Sequence, residues 1–429
     1  MGADVIVVGA GYGGLTAAAI MANKGLDVEV LEATGHLGGR AAFDRKDGFI
    51  VDYGIHANRY GAEGAADAAL REIGHEIDFV SMGPPQLYRD GSFVPLPTGI
   101  PQFLKAPFLS LGDKSIMVGD MLRLVLAKPA KVADVPLEKA VWGTSRKEIG
   151  SLFKLLSGIG LVSPDITTTS AGEFATFLKR ALKARENVAY PRGGTSQIIE
   201  VLSKKIKESG KITLNSRVRS LDIRDGRVRS VNVKEDDLEA RAVLFAVPLQ
   251  RLPEMAGTAL GEPFVEKCSS LVPTAGVSID LCLSKKVSDI DGLIVTADPV
   301  TMGQFTSNID PSTAPNGKQL ATFYYPLPAD VMEERESVEA AEKQLDSLLE
   351  RMFPGITDSA EWRRKLALKM VDGFEPRIGQ TAKDRPGVVA SGVENLFLAG
   401  DTVSAPGNGG DVAFASAVEA AGRVMSYLK

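Results

Sequence analysis

ADVIVVGAGYGGLTAAAIMANKGLDVEVLEATGHLGGR, residues Ala3 to Arg40, is the stretch on which the reading of this chain turns. Val5 to Val8 is an unbroken apolar run, the pattern of a parallel strand buried on both faces. It leads into Gly9, Gly11 and Gly14 in GxGxxG spacing. Gly9 permits the tight turn, Gly11 has no Cβ to obstruct a pyrophosphate, and Gly14 lets the following helix approach the strand. That helix is expected over about Gly13 to Lys24, rich in alanine as close packing requires, with Gly25 as its stop. A second strand, Val28 to Leu31, ends in Glu32. A bare GxGxxG occurs in loops by chance. Set between a strand and a helix, with an acid closing the next strand, it predicts a dinucleotide site. Tyr12, Gly13 and Ala33 fall on the same turns and join the candidate cofactor contacts. A carboxylate at Glu32 accepts from ribose hydroxyls and repels a 2'-phosphate, so the nucleotide expected is the adenosine of FAD or NAD, not NADP.

The 429 residues exceed one typical core and predict two interleaved or consecutive domains. A formal net charge of −5 offers no field for nucleic acid, which is excluded as a partner. Cys268 and Cys282 have neither CxxC spacing nor a histidine cluster beside them, so they are read as buried small hydrophobes, with no metal site. The N-terminus lacks a basic region and a long apolar run, and no stretch nears the roughly 18 apolar residues of a spanning helix. The expected location is cytoplasmic, either free or peripheral to a membrane.

After Glu32 the chain turns through Gly38, Gly39 and Arg40. Strand, GxGxxG, helix, strand, glutamate and GGR together resemble the flavin amine oxidase and phytoene desaturase superfamily. The resemblance implies an α/β fold: a Rossmann-type, glutathione-reductase-like FAD-binding domain interleaved with a mixed-sheet substrate domain and a helical cap. It implies FAD as cofactor, with the Gly39–Arg40 loop along the pyrophosphate and Arg40 as its cationic partner. Thr34 and His36 stand where the family often has an arginine, and His36 is a weak substitute. Asp47 to Gly54 (DGFIVDYG) resembles the strand that re-enters the flavin site, which would bring Tyr53, Gly54, Ile55 and His56 to the isoalloxazine. His56 is read first as a hydrogen-bonded structural imidazole and second as a catalytic candidate. The strand at Arg217 to Arg219 would give adenine contacts through Val218. The closing block, strand Asn395 to Ala399 followed by Gly400, Asp401, Gly407, Gly409, Gly410 and a helix from about Asp411 to Leu428, matches the family's last motif. There Asp401 would bind the ribityl or phosphate region. The helix N-terminus would face the pyrimidine edge, whose negative charge on reduction free N–H groups stabilise. Asp411 is a possible N-cap, leaving Gly410 and Val412 as the better amide donors.

The expected segments are 1–80, 187–255 and 386–429 for FAD binding, and 81–186 and 256–385 for substrate. Within them, Glu63 to Gly74 predicts a helix, and Asp90–Gly91 predicts a hairpin in Leu87 to Val94. Gln102 to Arg185 predicts a helical cap. In it Phe103, Leu104, Phe108, Leu109 and Leu111 beside Lys105 and Lys114 could either pack on the domain or contact a membrane, a peripheral contact placed in the 100–130 region. Tyr190 to Gln197 (YPRGGTSQ) opens a helix from Ser196 to Glu208. Four strands are expected at Lys211 to Leu214, Arg217 to Ile223, Arg227 to Lys234 and Leu238 to Phe245. Sheet is also expected at Val277 to Leu283, Gly292 to Thr296 and Gln319 to Tyr325, and an amphipathic helix at Ser337 to Phe353. Trp142 and Trp362 are read as core residues.

No second strand-GxGxxG-helix unit occurs, so no dedicated NAD(P)H domain is expected. The first functional reading is an FAD-dependent oxidoreductase acting on carbon–carbon bonds of a small apolar isoprenoid or polyene, by desaturation, saturation or isomerisation, as in phytoene desaturases. The alternative is an amine oxidase or protoporphyrinogen-oxidase-like flavoenzyme. The segment TVSAPGNGG, residues 402–410, carries no aromatic of the kind that would flank a flavin in amine oxidation, which favours the first. A third reading is an FAD-binding protein without turnover. The residues themselves single out no catalytic base, oligomeric state or electron acceptor.

Overall fold

The computed structural model describes residues 2–185, 188–234 and 236–429. The segment boundary expected between 186 and 187 lies outside the described residues. Among the described residues the core is a parallel sheet in the order Lys211–Thr213, Val28–Leu31, Ala3–Val8, Ala240–Phe245, Leu396–Leu398. Val5, Val7, Val28, Val30, Ala242, Leu244, Leu396 and Leu398 are wholly buried, which is why these strands read as continuous apolar runs. Helices Tyr12–Asn23 and Gly410–Leu428 pack on this sheet and on each other. Both helices are rich in wholly buried alanine, Ala17, Ala18, Ala417, Ala420 and Ala421 among them, small enough for close packing of backbones. A Cβ on Gly14 would lie 2.0 Å from Gly9 O, so only glycine permits this strand-to-helix turn.

The second layer is a mixed sheet in the order Ala360–Leu368, Ala275–Leu283, Gln319–Leu327, Val300–Gln304, Gly292–Ala297, Gly83–Arg89, Ser92–Pro95. All its neighbours are antiparallel except Gly292–Ala297 beside Gly83–Arg89. Helix Arg335–Met352 covers it with Val338, Ala341, Leu345, Leu348, Leu349 and Met352, spaced as one helical face. The cap consists of helices Leu111–Leu126, Lys147–Leu161 and Ala171–Lys183 around Phe103, Met117, Phe153 and Phe174.

Several expectations are corrected. The run Leu238 to Phe245 is two strands, not one. Asp236–Leu238 closes an antiparallel meander, whereas Ala240–Phe245 enters the central sheet, so the break at Glu239 is a change of sheet. Asp47 does not belong to a strand. With Gly48 it turns the hairpin Phe43–Lys46 to Phe49–Asp52, both at positive φ (50° and 84°). Helix Ala65–Arg71 is shorter than expected and is preceded by a turn at Gly61–Glu63. Trp142 is 69% exposed, its ring face covered by Arg123 at 4.7 Å, while Trp362 packs beside Phe49, Val51 and Leu320. Phe103 and Leu109 are buried in the cap, but Leu104 and Leu111 are exposed. Cys268 and Cys282 are buried and unpaired, as read from sequence.

Candidate active site

One cavity of about 450 Å³ opens where the central sheet, the mixed sheet and the cap meet. Two helix N-termini face it. Gly11, Tyr12 and Gly13 contribute one and Gly409, Gly410 and Asp411 the other. No protein acceptor takes the N–H groups of Gly11, Gly13, Gly410 or Val412 among the described residues. Unpaired amides at helix starts attract anionic oxygen. A Cβ built on Gly11 finds its nearest heavy atom, Gly38 O, 3.9 Å away, so it would take up cavity space. Asp411 is not the N-cap expected of it. Gly409 is, entering the helix at φ +49°, and the Asp411 N–H donates to Asn408 O at 3.1 Å. Gly410 and Val412 therefore remain the amide donors, although the Val412 side chain is wholly buried away from the cavity.

Arg40 and Asp401 meet across the chain. Arg40 Nη1 and Nη2 each donate to Asp401 at 2.6 Å, Nη1 donates also to Val371 O at 3.1 Å, and the Gly373 N–H reaches Asp401 Oδ2 at 2.6 Å. Both residues line the cavity. The pair fixes the GGR loop against the C-terminal block and still leaves Arg40 part-exposed. Glu32 is held differently: Oε2 accepts from the Ala10 N–H at 2.9 Å, and Oε1 accepts from the Thr34 N–H at 2.9 Å and its hydroxyl at 2.8 Å. The cavity ends short of Glu32, Ala33 and Val218. Gly9 and Gly14 lie behind it as turn-formers. His36 stacks on Tyr53 at 6.3 Å, away from its walls.

Tyr53, Gly54, Ile55 and His56 all line the cavity. His56 Nε2 is 3.1 Å from Tyr53 O, a bond within its own loop. Asp52, just before it, is buried and accepts from the Tyr190 hydroxyl (2.8 Å) and from the Thr195 hydroxyl (2.8 Å) and N–H (3.2 Å). Burial pushes the Asp52 carboxyl up, against the pull of His56 and these hydrogen bonds. Arg364 braces the same loop from the mixed sheet. It donates to Asp280 Oδ2 (2.8 Å), Asp44 Oδ2 (2.7 Å) and Asp52 O (2.6 Å), and lies 4.1 Å over the Tyr53 ring.

The wall opposite the glycine turns is apolar, with Ile55, Ile159, Val162, Leu293, Met302 and Leu368 along it. Tyr324 belongs to that wall, its hydroxyl turned away to donate to Ala275 O at 2.6 Å. Residues 402–409 bring no aromatic into the cavity. The sequence reading missed Arg59 and Asp372, which also line it. Burial, and then the neighbouring Asp401 carboxylate, push the Asp372 carboxyl up to about 6, against Arg59 and Arg40. Neither residue sits in a motif. Only the fold brings them to the cavity.

Free amides at two helix starts, a side-chain-free approach at Gly11 and a braced cation at Arg40 fit the phosphate and ring edges of a flavin dinucleotide. The model for flavin containing amine oxidoreductases matches residues 12–425. The chain belongs to this family. It is an FAD-dependent oxidoreductase. It is 22% identical to 4,4'-diapolycopen-4-al dehydrogenase of Metabacillus indicus, over 94% of this chain and 93% of the relative. It is 24% identical to coproporphyrinogen III oxidase of Staphylococcus aureus, over 77% and 79%. The fold is similar to that of a crystallised oxidoreductase from Methanosarcina mazei, with a TM-score of 0.78, 19% identity and coverage of 97% and 99%.

Proposed function

We propose that this enzyme oxidises carbon–carbon bonds of an apolar isoprenoid or polyene. The observation that carries the reading is the cavity wall facing the glycine turns, where Ile55, Ile159, Val162, Leu293, Met302 and Leu368 belong to one apolar cluster against which a hydrocarbon can pack. The relative from Metabacillus indicus, whose name is that of a dehydrogenase of 4,4'-diapolycopen-4-al, supports the polyene class of substrate over nearly the whole chain, although that name describes oxidation of an aldehyde. We assign FAD to the body formed by residues 1–80, 187–255 and 386–429, and the substrate to the lobe formed by 81–186 and 256–385. FAD contacts are assigned to Gly11, Tyr12, Gly13, Gly39 and Arg40 at the pyrophosphate. Glu32, Ala33 and Val218 are assigned to the adenosine, and Gly54, Ile55, His56, Gly400, Asp401, Gly410, Asp411 and Val412 to the ribityl and ring. Bound FAD supplies a two-electron, hydride-accepting ring. The chain does the rest: its apolar wall excludes water, orients a hydrocarbon across the cavity and sets which bond faces the ring.

Substrate of this kind resides in membranes, and the exposed leucines of the cap, Leu104, Leu111, Leu122 and Leu126, lie beside Lys105, Lys114, Arg123 and Lys128. We assign them to a peripheral contact with an anionic bilayer. No helix among the described residues is long and apolar enough to cross one.

A porphyrinogen is the second reading, favoured by one observation. Arg59 lines the cavity without an ion pair among the described residues, and a propionate would satisfy it. The two are separated by anaerobic reduction of the FAD-loaded enzyme. Bleaching of the flavin by a polyene delivered in liposomes, and not by porphyrinogens or primary amines, is the expected result. Bleaching by a porphyrinogen alone, lost in Arg59→Leu, would replace the first reading with the second.

A further inference from the structure

The cavity holds two carboxylates side by side in opposite circumstances. Asp401 is 5% exposed and receives donors from Arg40, twice, and from the Gly373 N–H. Asp372 lines the same cavity, and no donor among the described residues reaches either of its carboxylate oxygens. Its backbone is nevertheless fixed. The Asp372 N–H donates to Thr274 Oγ1 at 2.8 Å, its carbonyl accepts from the Thr274 N–H at 3.1 Å, and the Val371 N–H reaches Thr274 O at 2.7 Å. The side chain is pressed against the entrance of helix Gly410–Leu428, where a Cβ on Gly409 would stand 2.2 Å from Asp372 Oδ1. A carboxylate that is rigidly placed, faces the reaction space and lacks a hydrogen-bond partner is available to bind a proton. One locked by an arginine is not.

We propose that Asp372 is the proton-exchanging group of this site, binding one proton for every two electrons that the site accepts. The balance is as follows. The donor loses two hydrogens. One leaves with both electrons of its C–H bond, as the hydride the flavin accepts. The neighbouring one leaves as a proton and bonds to a carboxylate oxygen of Asp372, and the electron pair it leaves behind becomes the new double bond. Were that proton lost to solvent instead of to Asp372, the enclosed space would gain a full negative charge next to Asp401 and Asp411.

The groups facing Asp372 are Asp401 on the loop after strand Leu396–Leu398, Arg40 on the turn Gly39–Ala41, Arg59 on strand Asn58–Arg59 and Asp411 on the C-terminal helix. Tyr324 faces it from strand Gln319–Leu327. Arg40 is committed to Asp401, and Asp411 is ion-paired with Arg180, whose Nη1 lies 3.2 Å from its Oδ2, while Arg59 makes no ion pair with any acid among the described residues. Of the three acids, Asp401 and Asp411 each have an arginine in direct contact and Asp372 has none, and an added negative charge raises the proton affinity of the least-paired acid first. With its carboxyl poised at about 6, Asp372 is already protonated below that pH and has no proton to take up. Above it the carboxylate is free, so the uptake belongs to the range from about pH 6 upward.

The inference rests on the redox class of the cavity and not on a polyene substrate, so its test uses a chemical reductant. FAD-loaded protein is titrated spectroelectrochemically between pH 5 and 9. Above pH 6 the wild type is expected to bind one proton more per two electrons than Asp372→Asn, a tenfold change in equilibrium per pH unit, or about 30 mV. Below that range the two proteins are expected to converge. Equal slopes above pH 6, with both proteins carrying FAD, would overturn the proposal. Should Asp372→Asn fail to load, reduction-induced infrared difference spectra of the wild type decide. A protonated-carboxyl band that appears on reduction and moves in Asp372→Glu supports the assignment, and a spectrum with no such band, or with one unmoved by that change, defeats it.

Discussion

On one side of the cavity the chain presents backbone, and on the other it presents side chains. The nucleotide wall is made from turns at Gly9–Gly14, Gly38–Arg40 and Gly407–Gly410, each contiguous in sequence and joined to a parallel strand or a helix start. Its recognition groups are amides held by the central sheet. The substrate wall takes Ile55, Ile159, Leu293, Met302 and Leu368 from separate elements, and none of them is more than a hydrophobic residue in a hydrophobic stretch. In a wall of backbone an added atom meets either the sheet behind it, as at Gly14, or the space the cofactor would fill, as at Gly11, whereas a wall of side chains admits many compositions at constant volume. That contrast makes the cofactor a fixed feature and the substrate an adjustable one.

The sharpest way to break the comparison is one small substitution on each side of the cavity. In Gly14→Ala the new Cβ would sit 2.0 Å from Gly9 O and 3.1 Å from the Ala246 Cβ. Both neighbours belong to the sheet and its turn and cannot step aside. The expected loss is at or above the ~3 kcal/mol top of the overpacking range, with little folded protein recovered. Met302→Leu on the other wall should cost less than about 1.5 kcal/mol and leave the flavin spectrum unchanged while altering KM. Equal thermal stability of the two variants would show that the walls do not differ as argued.

The seam between the walls gives the next effect. Arg364 reaches from the edge strand of the mixed sheet to the hairpin that precedes Tyr53, and its partner Asp280 is wholly buried. Burial pushes the Asp280 carboxyl up to about 6, with Arg364 pulling the other way. In Arg364→Met that pull is gone and the carboxyl rises further. A folded-state value above the unfolded one favours the fold while the carboxyl is protonated, and the advantage disappears as pH rises through it. Arg364→Met should therefore lose about 3–5 kcal/mol at pH 8, where the buried charge is left unpaired, and visibly less at pH 5. Thermal unfolding at the two pH values measures this. An equal loss at both would mean that the arginine acts only through its packing on Tyr53 and Trp362.

The same difference between the walls explains what could be read from the sequence. Gly9, Gly11, Gly14, Glu32 and the Ala399–Gly400–Asp401 block could be read because their chemistry depends on neighbours a few residues away. The pairing of Arg40 with Asp401 could not, since each was matched separately to a cofactor. Asp90–Gly91 marked a hairpin because apolar and aromatic residues, Leu87–Tyr88 and Phe93–Val94, flank it on both sides. Asp47–Gly48 carries the same turn signal, but the strand before it, Phe43–Lys46, is nearly all polar, and the hairpin went unread. Glu239 gave no sign that the segment Leu238 to Phe245 changes sheets there. Asp372 and Arg59 have no periodicity or spacing of their own. They face each other only because the loop before the last strand folds over the start of the last helix.

The smallest effect concerns the outside of the substrate lobe, and it separates packing from contact. Leu111 and Leu126 are 87% and 80% exposed at opposite ends of helix Leu111–Leu126, while Met117, Met121 and Leu124 of the same helix are buried in the cap. Removing apolar surface already in water changes folding little, so Leu111→Ser with Leu126→Ser should shift stability by no more than about 0.5 kcal/mol. A leucine that enters the acyl boundary of a bilayer contributes up to about 1.5–3 kcal/mol when fully buried, and a partly inserted pair a fraction of that. Binding of the double variant to vesicles with anionic lipid should accordingly fall on the order of tenfold, with turnover of a water-dispersed substrate unchanged. Full retention of vesicle binding would remove the cap from the route by which an apolar substrate arrives. A loss of stability instead of binding would mean that these leucines are covered by something other than lipid in the folded protein.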